Sequence, residues 1–372
     1  MTAPTTAWAA VRRVLCVRLD TLGDVLMTTP ALRAVRERGG GCEVTLLTSP
    51  SGAAIAALVP VIDDVIVYDA PWLKGTAPRQ DATSDLKMIM QLRAGGFDAA
   101  IVFTVFTQSA LPAAQLCYLA DIPLRLAYAR ENPYQLLSTW IADPDPAEGI
   151  RHEVERQLAL VGHVGCRTAD TALAIRVPPV ARCRVRALLA SLGLGAGHPW
   201  LLIHPGATAP SRRYPAEGFG EAARVLSGEL GAAVLVTGDA SEVALADVVC
   251  RTAGARAHSL AGRLDLAELA ALIEAAPVLI TNNTGPAHLA AAVGTPSVDL
   301  YALTNPQHTP WRVPSRVLSH DVPCRNCFKS VCPVGHNDCL RRIPASDVAH
   351  AVRDLLAETR ALSGSPPPRL SA

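Results

Sequence analysis

Short, β-branched apolar runs separated by helix-length stretches recur along most of the 372-residue chain, and this alternation restricts the fold more than any other feature. In the first half the runs occupy residues 14–17, 44–47, 65–68, 99–103 and 124–128. Each is followed by a segment of helical spacing, so the runs are expected to be strands of βαβ units around a parallel sheet. A second series, at 201–204, 233–237, 278–281 and 297–301, begins after Pro178-Pro179 and a helical segment at 181–192. The turn-forming run Gly193-Leu-Gly-Ala-Gly-His-Pro199 marks where the second sheet starts. A chain of this length exceeds the size at which one core keeps growing, so two domains are expected. The predicted architecture is α/β, with two Rossmann-like domains facing each other across a cleft. They comprise residues 1–178 and 179–344, followed by a C-terminal helix at 345–362 packing back on the N-terminal domain and a disordered, Pro- and Ser-rich tail at 363–372.

Charge and composition narrow the partners. A formal net charge of +1, with 18% charged and 50% hydrophobic residues, gives no electrostatic case for nucleic acid. The first ten residues lack the charged and apolar regions of a secretory leader, so a cytoplasmic protein is expected. The charge-poor window 99–120 is long enough to suggest a membrane helix. Thr104, Thr107, Gln108, Ser109, Pro112 and Gln115 interrupt it, and it reads as a buried strand followed by a helix. Because no amphipathic basic helix stands out, membrane contact is expected to be at most peripheral.

Three strand-to-helix turns carry chemistry. The first strand ends in Arg18-Leu-Asp-Thr-Leu-Gly-Asp24, where Gly23 permits close approach and Thr21 and Asp24 stand at a helix entrance. Asp24 is the candidate general base, the competing reading being that Asp20 or Asp24 simply caps the helix. In the second series, His204-Pro-Gly-Ala-Thr-Ala-Pro-Ser-Arg-Arg-Tyr-Pro215 and Thr281-Asn-Asn-Thr-Gly-Pro-Ala-His288 each follow an apolar run and lead into a helix. Backbone N–H groups at such entrances favour phosphate, and Arg212 and Arg213 add permanent positive charge that can fork onto its oxygens. Two anion-holding devices together suggest a nucleotide diphosphate. Thr208, Asn283, Thr284 and Gly285 are expected around such a nucleotide, and His288 either faces the phosphates or packs against backbone. Thr237-Gly238-Asp239 closes another strand, where it suits ribose or adenine contact or caps a helix. His204 reads as a strand-end residue, and His308 and Thr309 follow a further strand end.

Four of the ten cysteines, Cys324, Cys327, Cys332 and Cys339, fall within sixteen residues. The spacing leaves three readings open: a structural zinc or iron, reduced thiols in a packed loop, or redox behaviour. The other six, Cys16 and Cys117 among them, read as small buried hydrophobes.

Three ordered blocks, Val14 through Leu32, His204 through Pro215 and Asn282 through Pro296, resemble the ADP-heptose:lipopolysaccharide heptosyltransferases of glycosyltransferase family nine, and the similarity extends over about residues 13–356. The resemblance implies a GT-B fold and an inverting, metal-independent transfer from an ADP-sugar, with the donor mainly on the C-terminal domain and the acceptor mainly on the N-terminal one. It gives Asp24 the role of base and Arg212 that of contacting the donor's phosphate or sugar, where lysine is more usual. Thr284 and Gly285 would hold the diphosphate through their N–H groups. Asn283 stands where the family often has an acid, so a hydroxyl-binding role survives there and a charge-based one does not. Domain closure would exclude water from an oxocarbenium-like transition state. The acceptor would be a glycan, a lipid-linked glycan or a small molecule, and no cofactor would be needed. The competing readings are a non-catalytic nucleotide-sugar-binding protein and a glycosyltransferase of secondary metabolism using another donor. A nicotinamide dehydrogenase is disfavoured because no G-x-G-x-x-G follows the first strand.

Overall fold

The computed structural model describes residues 4–38, 41–74, 76–195 and 198–363. The chain divides into two compact units between Arg176 and Val177, close to the expected boundary.

The first unit opens with a short helix, α1 (Pro4–Ala9). Trp8 fixes it: the indole is buried and donates to Thr139 Oγ1 at 3.1 Å. There follow β1 (Arg13–Arg18), α2 (Leu22–Arg36), β2 (Glu43–Thr48), α3 (Pro50–Ala56), β3 (Asp64–Val67), α4 (Thr83–Ala94), β4 (Ala99–Val102), α5 (Leu111–Leu119), β5 (Leu124–Ala129), β6 (Thr139–Ala142) and α6 (Glu153–Gly162). Every pairing is parallel and the strand order is β3-β2-β1-β4-β5-β6. β1 and β4 are buried on both faces, as central strands of a parallel sheet must be. One face of this sheet, through Leu15, Val17, Ala100 and Val102, packs on Leu92 of α4 and on Leu116 and Cys117 of α5.

The second unit repeats the plan with α7 (Pro179–Ser191), β7 (Trp200–His204), α8 (Ala216–Leu230), β8 (Ala233–Val236), α9 (Val243–Ala253), β9 (Ala257–Ser259) and α10 (Leu266–Ala275). It continues with β10 (Leu279–Asn282), α11 (Gly285–Val293), β11 (Ser297–Leu300), β12 (Ser315–Leu318), α12 (Asp338–Arg341) and α13 (Ala345–Ser363). Its sheet, also parallel, runs β12-β11-β10-β7-β8-β9. Counted from each unit's own first strand, both sheets have the doubly wound order, which reverses direction beside the first strand. The reversal leaves a crevice at the carboxyl ends of β1 and β4 in one unit and of β7 and β10 in the other.

The expectation that the last helix packs on the N-terminal domain is corrected. Val348, Val352 and Leu355 of α13 lie fully buried in the second unit's core with Phe219 and Leu226 of α8 and Val298 and Leu300 of β11. The tail expected to be disordered lies, from residue 364 onward, outside the described residues. The charge-poor window 99–120 is β4 followed by α5, and no helix among the described residues is long and apolar enough to cross a membrane.

Candidate active site

At the end of β1, Arg18 is completely buried, and its guanidinium meets Asp20 at 3.0 Å, Asp24 at 3.0 Å and Glu153 of α6 at 2.8 Å. The chain turns directly from strand into α2, which places Asp24 in the first helical turn with its carboxylate folded back onto Thr21. Oδ2 accepts from the Thr21 amide at 3.1 Å and from its hydroxyl at 2.7 Å. Capping, the structural reading of Asp24, is therefore real, yet the side chain stays 15% exposed and can still meet a ligand. Asp20 accepts from Gln108 Nε2 at 2.7 Å, and Gln157 Nε2 donates to Glu153 at 2.6 Å. Burial pushes the Asp20 carboxyl up to about 6; Arg18 pulls it down, while the charges of Asp24 and Glu153 add to the rise. Gly23 is buried in the same turn and Thr21 is exposed. The partners Arg18, Asp20, Gln108 and Glu153 were not read from sequence. Arg18 and Asp20 lie inside the quoted motif, but a charged residue next to an apolar run carries no sign of burial.

At the switch point of the second unit, Asn282 at the end of β10 ties three segments together. Its Oδ1 accepts from the Tyr214 amide at 2.9 Å, and its Nδ2 donates to the Pro205 carbonyl at 2.7 Å. This fixes the 204–215 segment beside the start of α11, where Thr284 and Gly285 lie partly exposed at the helix entrance. Arg212 is half-buried, and its Nη2 donates to Asn305 Oδ1 at 3.2 Å. Asn305 is in turn held by the Thr304 hydroxyl at 2.8 Å and pairs with His308 Nδ1 at 2.8 Å. Behind Arg212, Asp299 of β11 is fully buried, and burial pushes its carboxyl well above the ordinary range although the Arg212 charge opposes the rise. Asn283 is 1% exposed, its Nδ2 without a protein partner. The structure thus gathers Arg212, Asn283, Thr284 and Gly285 and adds Asn282, Asp299 and Asn305, which sequence reasoning missed.

Several anticipated side chains are otherwise engaged. Thr237 is buried, and its hydroxyl lies 3.1 Å from His204 Nδ1 and donates to the Ile203 carbonyl at 3.2 Å. Asp239 caps the following turn by accepting from the amide and hydroxyl of Ser241 at 2.7 and 2.6 Å. His204 is more than a strand-end residue: burial drives its imidazole down to about 4, so it is neutral near pH 7, with Nε2 3.8 Å from Glu242. The Glu242 carboxylate lies against Gly206. Thr208 and Arg213 are exposed, Arg213 Nε donating to the Ala207 carbonyl at 2.6 Å. Gly238 is part-buried beside Glu242, and His288 is buried on α11.

The cysteine-rich segment braces this site. The Lys329 carbonyl accepts from the Ser211 hydroxyl at 2.7 Å and the Ser330 carbonyl from the Ser211 amide at 3.1 Å, next to Arg212. The amides of Asn326 and Phe328 donate to the carbonyls of Leu303 and Thr304 at 2.7 and 2.8 Å, next to Asn305. Cys324 Sγ stands 3.9 Å from His336 Nε2. Among the described residues, however, no three His, Cys, Asp or Glu side chains converge closely enough to hold a metal ion. The side chains therefore do not fit a ready-made zinc or iron centre. Of the other six cysteines four are buried, whereas Cys183 is exposed and Cys250 half-buried, which corrects the expectation for those two.

Two doubly wound units with polar clusters at the carboxyl ends of their central strands are those of a GT-B glycosyltransferase. A profile of glycosyltransferase family 9 (heptosyltransferase) matches residues 86–337, and the chain belongs to that family. It is 28% identical over 323 residues to lipopolysaccharide heptosyltransferase 1 of Pseudomonas aeruginosa, covering 86% of this chain and 87% of that one. Among solved structures, a family 9 glycosyltransferase from Veillonella parvula superposes with a TM-score of 0.78 at 23% identity, over 93% of this chain and 98% of the other. The Escherichia coli heptosyltransferase WaaC, solved with ADP-2-deoxy-2-fluoro heptose, superposes with a TM-score of 0.65 at 18% identity, over 93% and 99%.

Proposed function

We propose that this chain transfers a heptose from an ADP-heptose donor to a hydroxyl of a glycan or lipid-linked glycan, with inversion at the anomeric carbon. The observation that carries the donor half is the junction of Arg212 with the amino end of α11, both locked to the strand ends by Asn282 and Asn305. A fixed guanidinium and unpaired helix amides suit a diphosphate leaving group. In the transfer, the acceptor oxygen forms a bond to the anomeric carbon while the bond from that carbon to the phosphate oxygen breaks, its electron pair departing with ADP. The hydroxyl proton passes to Asp24, whose carboxylate is anchored yet partly exposed. Arg212 and the Thr284 and Gly285 amides meet the charge that develops on the diphosphate. With Thr237 and Asp239 engaged internally, the ribose or adenine contacts of that turn would come from its backbone and from Gly238. Thr208, Arg213, Asn283 and His288 complete the donor side, and Thr21 and Gly23 the acceptor side. Because guanidinium and amides neutralise the leaving group, the step is assigned no metal.

The relatives' work on lipopolysaccharide makes its core the first acceptor to test, with the enzyme acting in the cytoplasm at the inner membrane face. Calorimetry with ADP, UDP, GDP and dTDP tests the donor assignment: selective ADP binding that is lost in Arg212→Ala supports it, and preference for another nucleotide refutes it. For the base, Asp24→Asn should bind ADP normally and lose nearly all transfer.

A further inference from the structure

The carboxylates around Arg18 outnumber the cation three to one. Asp20 approaches its Nε edge, Asp24 its Nη2 and Glu153 its Nη1, at 3.0, 3.0 and 2.8 Å. Glu153 is sealed from solvent, whereas Asp20 and Asp24 keep 14% and 15% of their side chains exposed and so both reach the surface of the crevice. On the surrounding elements, the charge of Arg156 also acts on Glu153. Arg156 of α6 is occupied by Asp143, Asp145 and the Thr104 carbonyl, and Arg151 by Asp145. His152 Nδ1 accepts from the Val154 amide. Gln108 and Gln157 bring only neutral donors, to Asp20 and Glu153.

An aspartate with sole possession of a buried guanidinium is held strongly in its ionised form, which makes it a feeble proton acceptor. A second and third carboxylate on the same cation oppose that pull, since nearby like charges disfavour one another's ionised form. We propose that Asp20 is a positioning residue for Asp24: by sharing the guanidinium of Arg18 it divides the cation's attraction, leaving Asp24 oriented but able to take the acceptor's hydroxyl proton. The proposal rests on the reading of Asp24 as the base. Gln108, on the loop after β4, keeps Asp20 turned toward the cluster.

The test reads Asp24 directly. In protein labelled with carboxyl-13C aspartate, the Asp24 resonance is identified by its loss in Asp24→Asn and its chemical shift is followed against pH. In Asp20→Asn, which removes one charge and keeps the shape, the Asp24 titration midpoint should fall by about one unit or more. The acidic limb of kcat/KM, measured with ADP-heptose and de-acylated lipopolysaccharide, should move down with it. Asp20→Ser removes the same charge with a smaller side chain and serves if the asparagine variant does not fold. An Asp24 midpoint unchanged in a folded Asp20 variant overturns the proposal while leaving the base assignment intact. Full transfer by Asp24→Asn overturns the base assignment and this proposal together.

Discussion

Replacing Arg18 with methionine removes the cation on which the crevice of the first unit is built. Breaking a buried ion pair by deleting one partner typically costs about 3–5 kcal/mol, because the charge left behind has no compensation. Here three carboxylates are left behind, one of them inaccessible to solvent, so the upper end of that range applies. For a unit of this size each kcal/mol moves the melting temperature by about 2–4 °C, so a drop on the order of 10–20 °C is expected at pH 7.5. The sign of the pH effect separates stranded charge from lost packing. Without Arg18 the folded carboxylates hold protons more tightly than the unfolded ones. The folded state then binds the excess protons, and stability falls as pH rises through the raised folded values. Acidification should therefore rescue the variant, shrinking its deficit at pH 5 by at least about 1 kcal/mol. Urea titrations of parent and Arg18→Met at both pH values provide the comparison. A deficit below about 1 kcal/mol at pH 7.5, or one equally large at pH 5, would refute the charge-based account.

The second unit should respond to acid in the opposite sense. His204 is pushed down to about 4, below the roughly 6.5 of an unfolded histidine, so between those values the unfolded state binds the extra proton and stability is lost as pH falls. The full span is worth about 3 kcal/mol, and His204→Gln should lose less stability than the parent between pH 7 and pH 5 in matched urea titrations. If both lose the same amount, the histidine is not the cause. Ser211→Ala removes the hydroxyl bond to the Lys329 carbonyl beside Arg212. It should cost about 1–2 kcal/mol in melting experiments and several-fold in ADP affinity by calorimetry; unchanged ADP affinity would show that the cysteine-rich segment does not steady the arginine.

The central strands were legible because burial on both faces of a parallel sheet favours continuous apolar runs, and β1, β4 and β7 carry them. The strands not anticipated, β6, β9 and β12, are edge strands, half-exposed and short, and their sequences TWIA, AHS and SRVL have no such run. The misplaced α13 shows a different limit. Its spacing announced an amphipathic helix, but an apolar stripe does not name the surface that covers it, and here that surface belongs to the second unit. Helix capping was legible as an alternative at Asp24 and Asp239, and in both places the cap is formed.

The site divides along the same physical line. Residues at the turn from a strand end into a helix, such as Thr284 and Gly285, announce themselves because the switch from an apolar run to a helical pattern is itself readable. Residues whose contribution depends on what surrounds them do not. Arg18, Asp20, Gln108, Glu153 and Asp299 read as ordinary polar residues until the fold removes water from them and places them against one another or against Arg212. Sequence distance explains the rest, since Glu153 lies 135 residues from Arg18 and Asn305 lies 93 from Arg212. The motif therefore locates each crevice, while part of its electrostatics is set by side chains outside the motif, Glu153 in one and Asp299 in the other. Substitutions at Glu153 or Asp299 are accordingly ones by which two chains with the same motifs can differ in pH dependence and donor affinity.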